Sequence, residues 1–378
     1  MENSLVLYRK YRPQRFSEFV GQEHIVKTLT NEIAAGRIAH AYIFAGPRGS
    51  GKTTMARLLA KSLNCQNRKE GEFEPCNKCS SCQEISQGNS LDLIEIDAAS
   101  HRGIDEIREL KDGIKFSPVK EKYKVFIIDE AHQLTKEAAN ALLKTLEEPP
   151  PYAVFILATT EIHKMIPTII SRCQRFDFRK LSLSEIIKKL EFISKKEGIQ
   201  VDEALLKIIA LNSDGSIRDA ETILDQVFSF GRFLGKPENK KIEIGDVKKM
   251  LGLTEFSLIS EFVDFISKKE APKAIELLNK AIERGTDPQD FAKALVRYLR
   301  QLLILKIKPD IDNEIIIGLA REEQKKSLEQ VKTFTIKEIQ KALVLFLEAG
   351  NKIKYSSIPQ LPLELAVVDF LEINGKDN

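Results

Sequence analysis

The chain has 378 residues, of which 43% are hydrophobic and 30% are charged. This length predicts two or three domains, and no apolar run approaches the roughly 20 residues that a bilayer span needs. Residues 1–4 lack the basic start of a signal peptide, so we expect a cytoplasmic protein with no membrane association. The net charge of +3 is small, and any nucleic-acid site must therefore be a local patch.

Up to about residue 178, short apolar runs alternate with helical patterns, which predicts a parallel α/β sheet. The predicted strands are 41–45, 91–96, 123–128 and 153–158. A helix is predicted over 136–148, where the prolines that begin at Pro149 stop it.

The stretch after the first predicted strand fits the P-loop pattern at every fixed position; it reads Gly46, Pro47, Arg48, Gly49, Ser50, Gly51, Lys52, Thr53. Its glycines let backbone N–H groups turn toward a phosphate, and the helix predicted over 54–63 adds its positive N-terminal end. We expect Lys52 to reach the β- and γ-phosphates, Thr53 to hold Mg²⁺, and Thr54 to contact the nucleotide. The alternative, a glycine-rich turn that matches by chance, is disfavoured by the strand and helix on either side.

Four of the five cysteines lie within 18 residues, at Cys65, Cys76, Cys79 and Cys82. Cytosolic thiols stay reduced, and four thiolates suit a tetrahedral structural Zn²⁺ site. A redox pair and an iron–sulfur ligand run are the alternatives, but the Cys-Pro that continues the ferredoxin run is missing. Cys173 stands apart and is expected to pack rather than to bind metal.

Two acids follow the apolar strand predicted over 123–128. Asp129 is placed to hold Mg²⁺ through water, and Glu130 to orient and polarise an attacking water. The alternative is two solvated acids, which the P-loop upstream argues against. Thr159 and Thr160 end the next strand, where a hydroxyl could hold that water in line.

Beyond about residue 180 the pattern is helical, with helices predicted over 183–197, 203–212 and 216–230. A linker is predicted over 231–241, because this stretch is polar and contains Gly and Pro. From about 243 to 373 the pattern is helical again, with examples at 271–284, 288–306 and 336–351. Arg172 and Arg218 could clamp phosphate charge, although a surface ion pair is the default for either one alone.

The order of these motifs resembles that of the AAA+ clamp-loader ATPases. Three longer strings, at 8–13 with 16–22, at 96–100 and at 140–150, are similar to that family as well. The resemblance implies an α/β P-loop NTPase (AAA+) domain with a parallel sheet over 1–179 and a zinc-binding insertion at 65–82. It further implies a small helical lid domain over 180–240 and an all-α C-terminal collar domain over 241–378.

The resemblance also implies roles for individual residues. Arg172 resembles an arginine finger that acts on the ATP of a neighbouring subunit, and Arg218 resembles the sensor 2 residue of the lid. Either Thr159 or Thr160, of which we take Thr160 as a nucleotide contact, resembles sensor 1. Tyr11, Arg12 and Val20 resemble the segment that covers the nucleotide base.

The function implied is that of an ATPase motor subunit, with ATP, Mg²⁺ and Zn²⁺ as cofactors. Its partners would be other clamp-loader subunits in a hetero-oligomeric ring, a sliding clamp and primer–template DNA. A non-catalytic ring scaffold and a branch-migration motor are the alternatives. Lys52, Thr53 and the two acids argue against the scaffold. The cysteine insertion together with the string Ser171, Arg172, Cys173 argues against the branch-migration motor. Because the sequence ends at Asn378, it resembles a short form of such a subunit, without segments that tether a polymerase or helicase.

Overall fold

The computed structural model describes residues 5–100, 113–114, 116–233, 247, 256–308 and 321–372. The chain divides into two compact units, Met1–Lys240 and Lys241–Asn378. The first unit contains a parallel sheet and both groups of candidate site residues, and the second is helical in its described part. No helix in these described ranges has the length and apolar character that a bilayer crossing requires.

A parallel sheet forms the centre of the first unit. Its described strands are β1 (Ala41–Ala45), β2 (Leu93–Asp97), β3 (Lys124–Asp129), β4 (Ala153–Thr159) and β5 (Gln174–Asp177). They lie in the order β2-β3-β4-β1-β5, and every neighbouring pair is parallel. The carboxyl ends therefore share one edge of the sheet, which is the edge where ligands bind in open α/β folds.

Four of these strands were predicted, and β1, β3 and β4 lie within one residue of their predicted bounds. Their apolar runs are buried throughout β1 and β4 and in all but the last residue of β3, as expected of strands covered on both faces. β2 begins two residues later than predicted, and β5 was not predicted at all.

Helices cover both faces of the sheet. The first unit has α1 (Leu7–Lys10), α2 (Glu23–Ala34), α3 (Lys52–Leu63), α4 (Ser80–Gln87), α5 (Lys136–Glu147) and α6 (Pro167–Ile170). The apolar faces of α2 and α3 pack on one side of the sheet, and those of α5 and α6 on the other. The predicted helix 136–148 is thereby confirmed to within one residue.

Three further helices follow the sheet: α7 (Leu183–Lys196), α8 (Glu203–Asn212) and α9 (Ile217–Phe233). Ser182 and Glu185 form a capping box that starts α7, which satisfies two backbone N–H groups reciprocally. The predicted helices 183–197, 203–212 and 216–230 are confirmed. The linker prediction was wrong at its start, because α9 continues through Gly231 to Phe233; the rest of that prediction lies outside the described residues.

The described part of the second unit is a helical assembly around one apolar core. Its helices are α10 (Phe256–Ser267), α11 (Ala271–Glu283), α12 (Pro288–Ile307), α13 (Arg321–Gln330), α14 (Ile336–Ile353) and α15 (Leu361–Glu372). Helices were predicted at 271–284, 288–306 and 336–351, and all three are confirmed. The parts of the wider helical prediction at 243–246, 248–255, 309–320 and 373 lie outside the described residues.

Candidate nucleotide-binding site and cysteine cluster

The P-loop joins β1 to α3 and needs glycine for two separate reasons. Gly49 and Gly51 have φ angles of 73° and 100°, in the left-handed region that side chains disfavour. A Cβ on Gly51 would also lie 2.4 Å from Cζ of Phe19, and one on Gly49 would lie 1.9 Å from Oγ of Ser216. The loop is therefore packed tightly between Phe19 and Ser216, the residue that precedes α9.

Lys52 and Thr53, at the start of α3, face one cavity. The Nζ of Lys52 donates to the carbonyl oxygens of Gly46 and Pro47, at 2.8 and 2.9 Å. Burial lowers the pKa of Lys52, while the nearby carboxylates of Glu130 and Asp129 act to raise it. The ammonium group is thus held at the mouth of the P-loop, where an anion can be bound by charge-assisted hydrogen bonds.

Asp129 ends β3, Glu130 follows it, and both side chains reach the same cavity. The hydroxyl of Thr53 donates to Oδ2 of Asp129 at 2.7 Å, which joins the P-loop helix to the end of β3. Glu130 has a left-handed backbone, with φ 48° and ψ 44°, which directs its side chain away from the line of the strand. Both acids line the cavity together with residues 48–54.

Thr159, the last residue of β4, and Thr160, which follows it, make different contacts. Thr160 Oγ1 donates to Oε2 of Glu130 at 2.8 Å, and its backbone N–H is 3.3 Å from the same oxygen. Thr159 is fully buried, and its Oγ1 lies 2.9 Å from Nδ1 of His132. The hydroxyl that contacts the candidate catalytic carboxylate is therefore that of Thr160, while Thr159 orients the neighbouring imidazole.

Helix α9 contributes the opposite wall of the cavity. The backbone N–H of Ile217 donates to the carbonyl of Gly49 at 3.3 Å, so α9 begins against the P-loop. Arg218 lines the cavity, with its guanidinium carbon 5.0 Å from the ring centre of Tyr8. This contact is a cation–π arrangement that orients the arginine.

One turn further along α9, Glu221 lines the cavity as a buried carboxyl group. Burial raises its pKa to about 7, and the positive charges of Lys189 and Arg12 act in the opposite direction. Lys189 is buried as well, and its Nζ is 3.3 Å from the carbonyl oxygen of Tyr11. A titratable acid and two cations therefore face each other at this end of the cavity.

Residues 8–20 supply the remaining wall of the cavity, but not with all the residues that were predicted. Arg12 and Val20 line the cavity, together with Tyr8, Pro13 and Phe19. Tyr11 does not: its hydroxyl donates to Glu197 at 2.6 Å, and its ring packs edge-on against Phe192. The side chain of Tyr11 points from the end of α1 toward α7, whereas that of Tyr8 lines the cavity.

Arg172 lies outside this cavity. It follows α6, its Nη2 forms an ion pair with Oε1 of Glu147 at 2.8 Å, and its Nη1 donates to the carbonyl of Thr168 at 2.8 Å. About a third of its side chain remains exposed, at 34%. The structure of one chain thus presents the guanidinium at the surface and away from the P-loop.

The four clustered cysteines converge as the sequence predicted. The Sγ atoms of Cys65, Cys76, Cys79 and Cys82 all lie within 4.8 Å of one another. Four sulfurs that share one Zn²⁺ at about 2.3 Å lie about 3.8 Å apart, so the residues fit such an ion. Cys173 is remote from them; it packs against the sheet core, and burial raises its pKa to about 12.

Backbone N–H groups inside the cysteine cluster point at sulfur. The N–H groups of Lys78 and Cys79 donate to Sγ of Cys76, at 3.4 and 3.3 Å. Burial alone would disfavour the Cys76 thiolate, yet these donors lower its pKa to about 6. Cys76 is thereby prepared to carry deprotonated sulfur, which is the form that ligates metals, whereas burial raises the pKa of Cys65 and of Cys82.

Several cavity residues were missed by the reading of the sequence. They are Tyr8, Pro13, Phe19, Leu181, Lys189, Ile217 and Glu221. Tyr8, Pro13 and Phe19 fall inside the N-terminal strings that carried the family resemblance, so that signal could have included them. Lys189 and Glu221 have no such signal, because each looks like a charged position on an amphipathic helix.

Three family models match the chain. Residues 21–182 match a model described as the DNA polymerase III delta subunit. Residues 185–232 match one described as the ATPase lid domain of the DNA polymerase III clamp loader subunit. Residues 242–374 match one described as domain III of the DNA polymerase III subunits gamma and tau.

Whole-chain similarity agrees with these models. The DNA polymerase III subunit gamma of Buchnera aphidicola is 38% identical over 97% of this chain and 98% of that protein. The subunit tau of Bacillus subtilis is 41% identical over 96% of this chain, and the match covers only 62% of the length of that tau subunit. The subunit gamma/tau of Mycobacterium tuberculosis is 36% identical over 99% of this chain and 64% of its own length. The chain therefore belongs to the family of the gamma and tau subunits of DNA polymerase III.

Proposed function

We propose that this chain is an ATP-hydrolysing motor subunit of a replicative clamp loader and acts in the cytoplasm. One observation carries the proposal: Lys52, Asp129, Glu130 and Arg218, from three distant parts of the sequence, line one cavity. A cation at the P-loop, two acids at a strand end and a lid arginine are the groups that phosphoryl transfer needs. In this proposal the substrate is ATP, and polymerisation belongs to another subunit.

The side chains have separate tasks in this mechanism. Lys52 and the backbone N–H groups of residues 48–54 bind the β- and γ-phosphates, and Arg218 contacts them from the lid. Glu130 orients a water for attack on the γ-phosphate and accepts its proton, while Thr160 holds that carboxylate in place. Thr53 and Asp129 would hold Mg²⁺, which neutralises charge on the phosphates.

Arg172 completes the site of a neighbouring subunit in this proposal. Its exposure and its distance from the P-loop of its own chain support action in trans. ATP hydrolysis would then depend on a hetero-oligomeric ring of clamp-loader subunits. Such a ring would open a sliding clamp and release it on primer–template DNA.

The proposed domain organisation follows from the same function. An AAA+ domain at 1–179 carries the nucleotide, a lid at 180–240 closes over it, and a collar at 241–378 joins the subunits. Zn²⁺ would be held by Cys65, Cys76, Cys79 and Cys82 within the first domain. With four thiolate ligands, the ion would have no open position for substrate and would stabilise the insertion at 65–82.

A pair of variants tests the motor proposal. Lys52→Ala should abolish tight Mg²⁺-dependent ATP binding, because the phosphates lose their cation. Glu130→Gln should leave binding intact and lower turnover by at least about tenfold, as expected for loss of a general base. Lys27→Ala and Glu137→Gln, both at exposed helical positions, are matched controls.

Affinity is measured by calorimetry on the full chain, and turnover after assembly with partner subunits, clamp and primer–template DNA. Near-normal affinity of Lys52→Ala would overturn the P-loop assignment. A ring whose turnover is unaffected by Glu130→Gln would favour a scaffold role for this chain.

Elemental analysis tests the metal proposal independently. The purified chain should contain one Zn²⁺, and Cys79→Ser should lose it, with a lower melting temperature. None of the four cysteines lines the cavity, so Cys79→Ser removes no side chain that contacts nucleotide directly. Iron in place of zinc, or a metal-free chain from chelator-free preparations, would contradict the assignment.

A further inference from the structure

The loop that carries the clustered cysteines contacts a segment that forms one wall of the cavity. We call residues 65–82 the cysteine module and residues 12–20 the N-terminal segment. Glu74, two residues before Cys76, is half-buried between them. Its Oε2 accepts from the backbone N–H of Phe16 at 2.9 Å, and its Oε1 accepts from that of Ser17 at 2.8 Å.

These two hydrogen bonds satisfy N–H groups that have no partner within the segment itself. Phe16–Glu18 forms a single 3₁₀ turn, and the first N–H groups of a helical turn have no partner within it. A carboxylate that accepts from both N–H groups makes charge-assisted bonds, which are roughly twice as strong as neutral ones. Glu74 therefore fixes the start of the turn from outside the segment.

Other contacts join the N-terminal segment to the module and to its two flanking helices, α3 and α4. Oε1 of Gln14 accepts from Nζ of Lys61 at 2.6 Å, and also from the hydroxyl of Ser86 at 3.3 Å. The ring of Phe73, in the module, lies edge-on to that of the fully buried Phe16, with centres 6.5 Å apart. The segment is thus held at its start and its middle by the module and by the two helices on either side of it.

The end of the segment reaches the P-loop. Phe19 directly follows the 3₁₀ turn, and its ring is close enough to Gly51 to exclude a Cβ there. Phe19 and Val20 both line the cavity. A displacement of the turn by even an ångström would therefore move a wall of the cavity.

We propose that Glu74 is a positioning residue for the nucleotide, through which the cysteine module holds the N-terminal segment against the P-loop. This inference rests on the proposed function, since it concerns affinity for ATP. In this view the module does more than stabilise its own loop. Its attachment to the segment sets how well the cavity is preformed, and hence how tightly nucleotide binds.

Substitution of Glu74 in the full chain tests the proposal. Glu74→Ala should weaken Mg²⁺-ATP binding by about tenfold, the effect of losing hydrogen bonds to a charged group. Glu74→Gln keeps one acceptor oxygen and should weaken it less. Glu70→Ala, an exposed acid of the same loop, is the matched control and should bind like the wild type. In the assembled ring, the KM for ATP should rise while kcat at saturating ATP stays unchanged.

Two further measurements separate positioning from general damage. Zinc content should remain that of the wild type in Glu74→Ala, and amide hydrogen exchange should accelerate at Phe16 and Ser17. If Glu74→Ala failed to fold, Glu74→Gln would carry the test, because it retains an acceptor for one of the two N–H groups. Wild-type affinity and KM in a folded Glu74 variant that retains zinc would overturn the proposal. Absence of ATP binding by the wild-type chain would instead overturn the proposed function, and the exchange measurement would still report whether Glu74 holds the segment.

Discussion

The two sides of the cavity are built in different ways. The P-loop side consists of residues 48–54 with Asp129 and Glu130, which is one continuous stretch and one strand end. The lid side consists of Tyr8, Arg12, Pro13, Phe19, Val20, Leu181, Lys189, Ile217, Arg218 and Glu221, which come from both ends of the first unit. A short motif encodes the chemistry of the first side, whereas the second exists only after α1 and α9 have packed together.

This difference predicts where substitutions act. On the P-loop side, the side chains of Ser50, Lys52, Thr53 and Glu130 have partners within the motif or at the adjacent strand ends. On the lid side, groups meet across more than 200 residues of sequence; the N–H of Leu7, for example, is 3.4 Å from Asp225. Variants on the first side should therefore act directly on phosphate binding or hydrolysis, and variants on the second should act on affinity and stability through packing.

The largest expected effect concerns Arg172, which lies on neither side. Arg172→Ala should leave ATP binding by the isolated chain unchanged and lower hydrolysis in the assembled ring by on the order of 10³-fold, as loss of an arginine finger does. Arg175→Ala, an exposed arginine three residues later, is the control. Mixed rings in which the Arg172 variant faces a neighbour that carries Glu130→Gln would locate the defect. Weaker ATP binding by the isolated Arg172 variant would mean that the residue acts in its own chain.

The next effect should come from Gly51, where the two sides touch. Gly51→Ala introduces a left-handed alanine and a Cβ that collides with Phe19. Strain of this size predicts a loss of nucleotide affinity of about 100-fold. Gly36→Ala is a matched control, because Gly36 also has a positive φ, 66°, but its Cβ would meet nothing within 4 Å. Partial recovery of affinity in a Gly51→Ala, Phe19→Leu double variant would show that the ring is the obstacle; no recovery would assign the loss to the backbone.

A smaller effect should follow from Thr160, which contacts Glu130 of the P-loop side. Thr160→Val removes the hydroxyl that donates to Glu130 and keeps the shape of the side chain. Turnover in the ring should fall by about tenfold, the worth of one hydrogen bond to a charged group, while ATP affinity stays the same. Thr160→Ser should restore most of the rate. A Thr160→Val ring as fast as the wild type would remove this hydroxyl from the positioning of Glu130.

The smallest effect should come from Glu221, on the lid side, and should depend on pH. Burial raises the pKa of Glu221 to about 7 in the folded chain, against 4.5 as its ordinary value, with Lys189 and Arg12 acting to lower it. The unfolded chain therefore binds fewer protons at this residue, and the free energy of unfolding should fall as pH rises from about 4.5 to about 7. The free energy of unfolding of Glu221→Gln should lack this pH-dependent contribution.

Thermal unfolding of the two proteins between pH 5 and pH 8 measures the difference. The melting temperature of Glu221→Gln relative to the wild type should increase with pH across this window and level off above it. A difference that does not change with pH would mean that Glu221 titrates at its ordinary pKa.

Two errors in strand assignment have clear physical causes. The predicted strand 91–96 begins with Leu91 and Asp92, which precede β2, although the carbonyl oxygen of Asp92 accepts from the N–H of Val125 in β3 at 2.8 Å. Asp92 is buried, and its carboxylate accepts from the backbone N–H groups of Val119, Lys120 and Glu121, which caps a neighbouring loop. β5 escaped prediction because it is a four-residue edge strand in which only Phe176 is buried.

The position of Tyr11 outside the cavity has a different cause. A short helix of four residues, Leu7–Lys10, separates the directions of Tyr8 and Tyr11. Which of the two rings faced the cavity depended on the docking of this helix against α9, and the string of aromatic and basic residues carries no information about that.

By itself, the sequence determined the P-loop, the acids after β3, the cysteine cluster and most helix bounds. These features depend on residue types at fixed local spacing, so a pattern suffices to find them. Tertiary structure alone decided which threonine contacts Glu130, which tyrosine lines the cavity, and that Glu74 and Glu221 take part. Each of these depends on which distant segments pack together and how deeply a charged group is buried, because burial and long-range hydrogen bonds arise only when the chain has folded.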